Sequence, residues 1–343
     1  MRVLLRTDAS TKIGSGHLMR CLALAQALRH KGHYVTLITK TTDSKLLARY
    51  EQLSIPIESI PTTSTLEGDA RTVFEKARLG NFDWIVADGY NFNTEYQTTL
   101  RSSSSALLCI DDINAYPFNC DIVLNQNFNA EKVCKYHTGE RTELLLGSLY
   151  ALLRDEYQSL DGHSREVEGV GHRILVTLGG SDPHNCTRMV LQALQLIDNV
   201  QLDIRIILGR SFPHHESIIE ITKELPHSAR VFEWVESLRE HIEWCDIAVS
   251  AAGSTTWELA ALQTPMILGM FAENQRIICE QLQAREAAVV IGDFQRLDTK
   301  ILANEVQQLF LNPDRRKSLS STAGTLCDGQ GAVRVVAAME SRR

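Results

Sequence analysis

The chain has 343 residues, 44% of them hydrophobic, which is enough for two domains with separate cores. Its formal net charge is -7 at pH 7 and we find no basic patch, so the sequence predicts no nucleic-acid partner and no binding to an anionic membrane surface. No apolar run reaches the roughly 20 residues of a spanning helix, and Arg6 and Asp8 interrupt the N-terminal apolar stretch before a signal region could form. We therefore expect a cytoplasmic protein.

The eight cysteines are scattered along the chain and form no CxxC pair. This pattern predicts reduced, buried thiols and argues against a zinc site, whose ligands usually come in close pairs. Cys21 would lie on the same helical side as His17, as in a Cys/His nucleophile, but no orienting group is evident for it. We expect neither a metal nor a cofactor.

The first half of the chain alternates short β-branched runs with amphipathic stretches, which is typical of parallel βαβ units. The predicted strands are 3–6, 34–39, 84–88, 106–111 and 121–125, and the predicted helices are about 17–30, 66–79 and 94–101. The pattern predicts one doubly wound sheet, in a domain that we bound at residues 1–160.

The polar stretch 161–172 is interpreted as a linker, after which the same alternation restarts. The strand of RILVTLGGSD (173–182) is followed by a helix to about residue 197, and the remaining predicted strands are 203–208, 229–234, 246–250, 265–269 and 287–292. The fold class is thus α/β, with two Rossmann-like domains facing across a cleft, the second at 173–343. For the helical pattern at 328–341 two alternatives stay open: a capped terminal helix, or one that packs back on the first domain.

A glycine-rich loop follows the first strand and leads into a helix that starts near His17. Gly14 and Gly16 allow close approach of a ligand, and ligands of open α/β sheets gather at the carboxyl ends of the strands. His17 is therefore a candidate base, although a lone histidine at a helix start is often only a cap or an exposed side chain. The spacing lacks the third glycine of the dinucleotide fingerprint, which argues against NAD.

Several aspartates fall at or just beyond the carboxyl ends of predicted strands and are candidate partners for the His17 ring: Asp8, Asp88, Asp111 and Asp112. Each could equally cap a helix or shape a turn. Asp8 is in addition a predicted substrate contact. Arg20 lies one helical turn from His17 and could either face the cleft or pair with an aspartate as part of the scaffold.

The second domain has two small-residue turns after strands, LGGSD with Gly180 and AAGSTTWELAAL with Ser254, Thr255 and Glu258. Backbone N–H groups at such a helix start can bind a diphosphate, and Glu258 could accept hydrogen bonds from a ribose diol. The alternative is a simple N-cap with a favourable charge near the helix dipole. After a later strand, Asn274 and Gln275 could bind sugar hydroxyls, or Asn274 could cap a helix.

Three stretches carry a resemblance: RTDASTKIGSGHLMRCLALAQAL, LYALLRDEY (149–157) and AAGSTTWELAAL (251–262). Together they resemble the UDP-sugar hydrolases of pseudaminic acid biosynthesis, which release UDP from UDP-2,4-diacetamido-2,4,6-trideoxy-β-L-altropyranose. The resemblance implies a GT-B type fold and a UDP-sugar as the small-molecule partner. It also implies that His17 is the general base for water attacking the anomeric carbon with inversion, and that Arg154 and Glu258 contact substrate.

Three other functions stay open at this point. A glycosyltransferase or a hydrolysing UDP-sugar 2-epimerase of the same fold would bind the same class of ligand, and a nucleotide-sugar sensor would bind it without turnover. Loops such as 126–147 have no interpretation from motifs, and the sequence does not indicate an oligomeric state.

Overall fold

The computed structural model describes residues 1–10, 14–128, 130–158, 160, 164–210 and 212–342, and for residue 274 the backbone alone. The chain divides into two compact units. Unit 1 comprises Met1–Gln158 with Gly329–Arg343, and unit 2 comprises Ser159–Asp328. Among the described residues, no helix is long and apolar enough to cross a lipid bilayer.

Unit 1 contains a parallel sheet of seven strands in the order β3-β2-β1-β4-β5-β6-β7. The strands are β1 (Arg2–Thr7), β2 (Tyr34–Thr39), β3 (Ile57–Ser59), β4 (Trp84–Asp88), β5 (Ala106–Ile110), β6 (Ile122–Asn125) and β7 (Glu143–Leu146). The helices are α1 (Gly16–His30), α2 (Ser44–Gln52), α3 (Leu66–Leu79), α4 (Thr94–Arg101) and α5 (Ala130–Val133), with 3₁₀ turns at Ser148–Tyr150 and Asp155–Tyr157.

The inner strands β1, β4, β5 and β6 of unit 1 are buried on both faces. On β1, Val3 and Leu5 belong to the apolar cluster that includes α1, whereas Leu4 belongs to the cluster that includes α3 and α4. Burial on both faces explains why these strands are continuous apolar runs in the sequence rather than alternating ones.

Unit 2 repeats the plan with six parallel strands in the order β10-β9-β8-β11-β12-β13. The strands are β8 (Arg173–Thr177), β9 (Asp203–Ile207), β10 (Ser228–Phe232), β11 (Ile247–Ala251), β12 (Met266–Met270) and β13 (Val289–Asp293). The helices are α6 (Cys186–Leu194), α7 (His215–Glu224), α8 (Arg239–Trp244), α9 (Thr255–Ala261), α10 (Arg276–Ala284), α11 (Thr299–Leu311) and α12 (Pro313–Gly324), with 3₁₀ turns at Glu273–Gln275 and Phe294–Arg296.

The last helix, α13 (Gly331–Ser341), belongs to unit 1. Its side chains Val335, Val336 and Met339 are fully buried in the apolar cluster that also contains Leu18 and Leu22 of α1. The helix begins against the backbone of Ala151, which a side chain on Gly331 would strike. Burial of one apolar stripe thus fixes the end of the chain to unit 1.

The α/β fold class is confirmed, and most predicted elements are found within one to three residues of their expected bounds. Among the described residues of unit 1, four short elements were not predicted: α2, α5, β3 and β7. The interval 126–147, which no motif explained, contains α5 and β7.

Candidate active site in unit 1 and ligand loops in unit 2

The strand order of unit 1 reverses between β1 and β4, and ligands of open α/β sheets bind at the carboxyl ends of strands at such a point. Thr7 at the end of β1 is in register with Asp88 at the end of β4. After β1 the backbones of Ser10 and Gly14 bond to each other, and the chain enters α1 at Gly16. Gly14 has φ +76°, a conformation that disfavours any side chain.

This geometry brings His17 onto Asp88. The Nδ1 atom of His17 lies 2.6 Å from Oδ1 of Asp88, and both residues are buried. Burial alone would raise the pKa of the Asp88 carboxyl, but the Arg20 guanidinium and the hydrogen bonds from Arg20 and His17 outweigh it and hold that pKa well below its usual range. Because Asp88 is therefore a carboxylate that can only accept, Nδ1 of His17 carries the proton of this hydrogen bond.

The other ring nitrogen of His17, Nε2, makes no hydrogen bond to any described residue and is not among the fully buried unpaired atoms. In the neutral ring with a proton on Nδ1, Nε2 has a lone pair that can accept a proton. The ring also packs edge-on against Tyr90, with centroids 4.6 Å apart. A ring whose tautomer is set by a buried carboxylate in this way has the chemistry that a general base requires.

Arg20 joins Asp88 to a second carboxylate. Its Nε and Nη2 donate to Asp88 at 2.7 and 2.6 Å, while Nη1 donates to both oxygens of Asp112 at 2.9 Å. Of the two interpretations left open by the sequence, Arg20 pairs with aspartates. The sequence singled out Arg20 by its i,i+3 spacing from His17. It could not indicate the partners of Arg20, because Asp88 and Asp112 lie 68 and 92 residues away from it along the chain.

The Cys21 thiol also contacts Asp88, with Sγ 3.6 Å from Oδ2. Burial and the nearby Asp88 carboxylate raise the pKa of this thiol well above its usual value. A nucleophilic thiolate at Cys21 is therefore disfavoured.

The other candidate aspartates lie in different networks. Asp8 accepts both Nη atoms of Arg6 and the backbone N–H of Lys40, and no hydrogen bond joins it to His17 within the described part of the chain. Asp111 accepts from the Tyr136 hydroxyl at 2.6 Å. Of the candidate aspartates, Asp88 is the one that bonds to the His17 ring among the described residues. Asp8 remains a predicted substrate contact.

Arg154 opens the 3₁₀ turn at Asp155–Tyr157. Its guanidinium pairs with Glu156 at 2.8 Å and lies 5.9 Å from the centre of the Tyr157 ring. The predicted substrate contact of Arg154 stays a prediction.

In unit 2 the strand order reverses between β8 and β11, and both small-residue turns follow these strands. The turn after β8 contains the exposed Gly180, but the following helix is already capped, since Asp182 accepts the backbone N–H groups of Cys186 and Thr187 at 2.8 Å. An anion at this turn would have to bind ahead of the helix start.

The turn after β11 differs from the turn after β8. Ser254 makes no side-chain capping bond, and the backbone N–H groups of Ser254 and Thr255 donate to none of the described residues. A Cβ atom on Gly253 would meet no atom of the described residues within 4 Å, so there is free space beside this glycine. Glu258 stands in the first turn of α9.

The last two predicted contacts follow β12. Gln275 uses its side-chain oxygen to accept the backbone N–H of Phe271 at 3.0 Å, which leaves its amide nitrogen for other partners. The side chain of Asn274 lies outside the described residues. No group of three or more His, Cys, Asp or Glu side chains that could hold a metal ion is found in the ranges that the structure describes.

Residues 173–333 match the family model of the glycosyltransferase family 28 C-terminal domain. Over the whole fold, MurG of Acinetobacter baumannii superposes with a TM-score of 0.73 at 15% identity, covering 99% of both chains. UDP-GlcNAc 2-epimerase of Neisseria meningitidis, bound to UDP-GlcNAc, gives a TM-score of 0.63 at 10% identity over 100% of both chains. With its two doubly wound sheets, the chain is a two-domain α/β protein of the GT-B fold.

Curated relatives make the resemblance more specific. The UDP-2,4-diacetamido-2,4,6-trideoxy-beta-L-altropyranose hydrolase of Campylobacter jejuni is 23% identical over 80% of this chain and 93% of its own length. A spore coat polysaccharide biosynthesis protein of Bacillus subtilis is 22% identical over 99% and 98%. An uncharacterized protein of Methanocaldococcus jannaschii is 24% identical over 80% of this chain but 57% of its own length. The resemblance to the UDP-sugar hydrolases of pseudaminic acid biosynthesis is confirmed.

Proposed function

We propose that this chain hydrolyses UDP-2,4-diacetamido-2,4,6-trideoxy-β-L-altropyranose to UDP and the free sugar. The observation that carries the proposal is the buried His17–Asp88 pair at the carboxyl end of the sheet of unit 1. The Nε2 atom of His17, which bonds to none of the described residues, can accept a proton there. The similarity to the Campylobacter jejuni hydrolase supports the choice of substrate.

In the proposed reaction His17 Nε2 takes a proton from water while the water oxygen forms a bond to the anomeric carbon. The bond between that carbon and the phosphate oxygen breaks, and its electron pair leaves with UDP. A single displacement inverts the anomeric carbon, and no second carboxylate is needed because UDP is a good leaving group. Neither a metal ion nor a cofactor takes part in this scheme.

The open turn of unit 2 supports a role in binding UDP. The backbone N–H groups of Ser254 and Thr255, which donate to no residue in the described part of the chain, suit a diphosphate. Glu258 in the same first turn suits the ribose hydroxyls. Gly14, Gly16, Asp8, Arg154, Gly180, Asn274 and Gln275 complete the proposed set of substrate contacts.

The test is incubation of the purified chain with the UDP-sugar alone, in water enriched in ¹⁸O. We expect release of UDP, first appearance of the inverted anomer in proton NMR spectra, and ¹⁸O in the sugar rather than in UDP. Release that depends on an added acceptor would indicate a glycosyltransferase, and a product altered at C2 would indicate a 2-epimerase. Either result would contradict the proposal.

Two histidine variants separate catalysis from binding. His17→Gln should bind UDP like the parent but lose at least about 100-fold in turnover, the lower end of what a general base contributes. His137→Gln is the matched control, because His137 is exposed and bonds to a described residue only through its backbone carbonyl. UDP binding without any turnover in the parent would instead indicate a sensor.

A further inference from the structure

Arg6 is the centre of a buried ionic group near the carboxyl end of β1. Its Nε and Nη2 donate to Asp69 at 2.9 and 2.6 Å, and its Nη1 and Nη2 donate to Asp8 at 2.6 and 2.8 Å. Lys40 pairs with the same Asp69 carboxylate at 2.9 Å. Two cations therefore offset two carboxylates, and the group is neutral.

Asp69 is the inner carboxylate of this group, and its oxygens are fully used. They accept from Arg6, from Lys40 and, at 2.8 Å, from the Tyr96 hydroxyl. Burial alone would raise the pKa of the Asp69 carboxyl, but the hydrogen bonds and the charge of Arg6 outweigh it and lower that pKa. The planar fork between Asp69 and Arg6 thus holds the guanidinium in one orientation.

Asp8 is the outer carboxylate. Its side chain is 25% exposed, compared with 1% for Arg6 and for Asp69. Its Oδ1 accepts from Arg6 Nη1 at 2.6 Å, from the backbone N–H of Lys40 at 2.6 Å and from the Thr39 hydroxyl at 3.1 Å. Its Oδ2 accepts from Arg6 alone in the described part of the chain. Because each carboxylate oxygen has about two lone-pair sites, the remaining capacity of Asp8 lies on Oδ2.

This oxygen is fixed at the edge of the sheet that carries the His17–Asp88 pair. Asp8 follows Thr7, which is in register with Asp88. The backbone beside Asp8 is held as well, since the N–H of Ala9 donates to the Thr41 hydroxyl at 2.7 Å. The position of Oδ2 is therefore set before a ligand binds, which lowers the entropy that binding costs.

We propose that Oδ2 of Asp8 accepts a hydrogen bond from the sugar of the UDP-sugar, either from an acetamido N–H or from the sugar hydroxyl. A carboxylate has no proton to donate, so a sugar without a donor at this position would leave the oxygen unpaired. Asp8 thereby makes the site selective for the sugar. The inference rests on the proposed function, in which Asp8 is a substrate contact, and adds the atom and the chemical group that it binds.

The alternative is that Asp8 only offsets the charge of Arg6 and holds the chain after β1. Asp8→Asn separates the two roles. The three donors at the Oδ1 position keep the amide oxygen of the asparagine there, so its NH₂ group takes the position of Oδ2. The atom available to the sugar changes from an acceptor to a donor. A structural role alone predicts lower stability without selective loss of sugar binding.

The experiment measures the Kd values of the UDP-sugar and of UDP by calorimetry, in full chains that carry His17→Gln so that the UDP-sugar is not consumed. Asp8→Asn should raise the Kd of the UDP-sugar about 10-fold or more, as expected for the loss of a hydrogen bond to a charged group, and leave the Kd of UDP unchanged. An unchanged Kd of the UDP-sugar, or an equal change in both Kd values, would overturn the inference.

Asp121→Asn is the matched control. The Asp121 side chain is 24% exposed and pairs with Arg101, but it lies just before β6, at the opposite edge of the same sheet. Both Kd values of this variant should equal those of the His17→Gln chain. If Asp8→Asn does not fold, Asp8→Glu, which keeps the charge but displaces the carboxylate by one methylene, should show the same selective loss.

Analogues of the UDP-sugar identify the donor. In each of them the 3-hydroxyl, the 2-acetamido or the 4-acetamido group is replaced by hydrogen. The analogue that lacks the contacted donor should bind equally well with and without Asp8→Asn. If all of the analogues keep the full difference in Kd, Asp8 does not contact a donor of the sugar and the inference is wrong.

These measurements distinguish the inference from the proposed function, because binding needs no turnover. A parent chain that releases no UDP but shows the selective loss with Asp8→Asn would reject the hydrolase and keep the role of Asp8. An active parent chain with no selective loss in Asp8→Asn would reject the inference alone.

Discussion

Replacing Asp88 with Asn tests the central pair of unit 1 directly. The side chain keeps its shape but loses its charge, and it can now offer an amide N–H to Nδ1 of His17. The ring would then carry its proton on Nε2, where it cannot accept one from water. The same Asp→Asn change in the serine-protease triad lowers kcat about 10⁴-fold by imposing the wrong tautomer.

The magnitude for stability follows from the contacts that Asp88 makes. It is 1% exposed and accepts from His17 and from two nitrogens of Arg20, so neutralising it removes one partner of a buried ion pair. Breaking such a pair costs about 3–5 kcal/mol, less where a partner survives, and here Asp112 still binds Arg20. We expect a folded but weakened chain, with kcat lowered about 10²- to 10⁴-fold and UDP binding retained.

The assay is UDP release under saturating substrate, with the free energy of unfolding measured by urea and the ring tautomer read from ¹⁵N shifts. Asp111→Asn is a matched control, since Asp111 is also buried, at the end of the neighbouring strand, and bonds to Tyr136 rather than to His17. A folded Asp88→Asn chain with kcat within about threefold of the parent would refute the assigned role of this carboxylate.

Three further substitutions and one control substitution test the scaffold. Asp246 accepts hydrogen bonds from two backbone N–H groups and from Arg173, which outweigh the effect of burial and lower the pKa of its carboxyl. This stabilisation is present above about pH 4 and is lost as the pH falls, so Asp246→Asn should lower the free energy of unfolding in urea by about 1–3 kcal/mol at pH 7. A difference that persists at pH 2 would contradict the assignment. Met339→Ala should lower the free energy of unfolding by about 2–5 kcal/mol and speed hydrogen exchange in α1, because the side chain is fully buried in the apolar cluster that α13 shares with α1. Unchanged exchange in α1 would argue against the packing of α13 on unit 1. Asp182→Ala should lower the free energy of unfolding by about 0.5–2 kcal/mol and speed hydrogen exchange of the first amides of α6, which Asp182 caps. Ser254→Ala is the control, because it removes no capping bond and should leave the free energy of unfolding unchanged.

The sequence by itself determined the fold class and the region of the candidate site. Strands buried on both faces are continuous apolar runs and the helices between them are amphipathic, so β2, β4, α3 and α4 have the predicted bounds. Gly14 marks a turn that needs positive φ, and His17 follows it at a helix start. These features can be predicted from the sequence because residues close together in the chain determine the backbone conformation and the periodic pattern of burial.

Only the tertiary structure decided which aspartate acts on His17. Asp8 is nearer to His17 in the sequence, but its carboxylate bonds to Arg6. The register between β1 and β4 brings Asp88, which is 71 residues from His17 in the chain, to the ring. The strands β3 and β7 are too short for their own periodicity and form because a neighbouring strand offers hydrogen bonds. The charge that Arg20 places beside His17 likewise depends on two strands meeting at one edge, which no local pattern encodes.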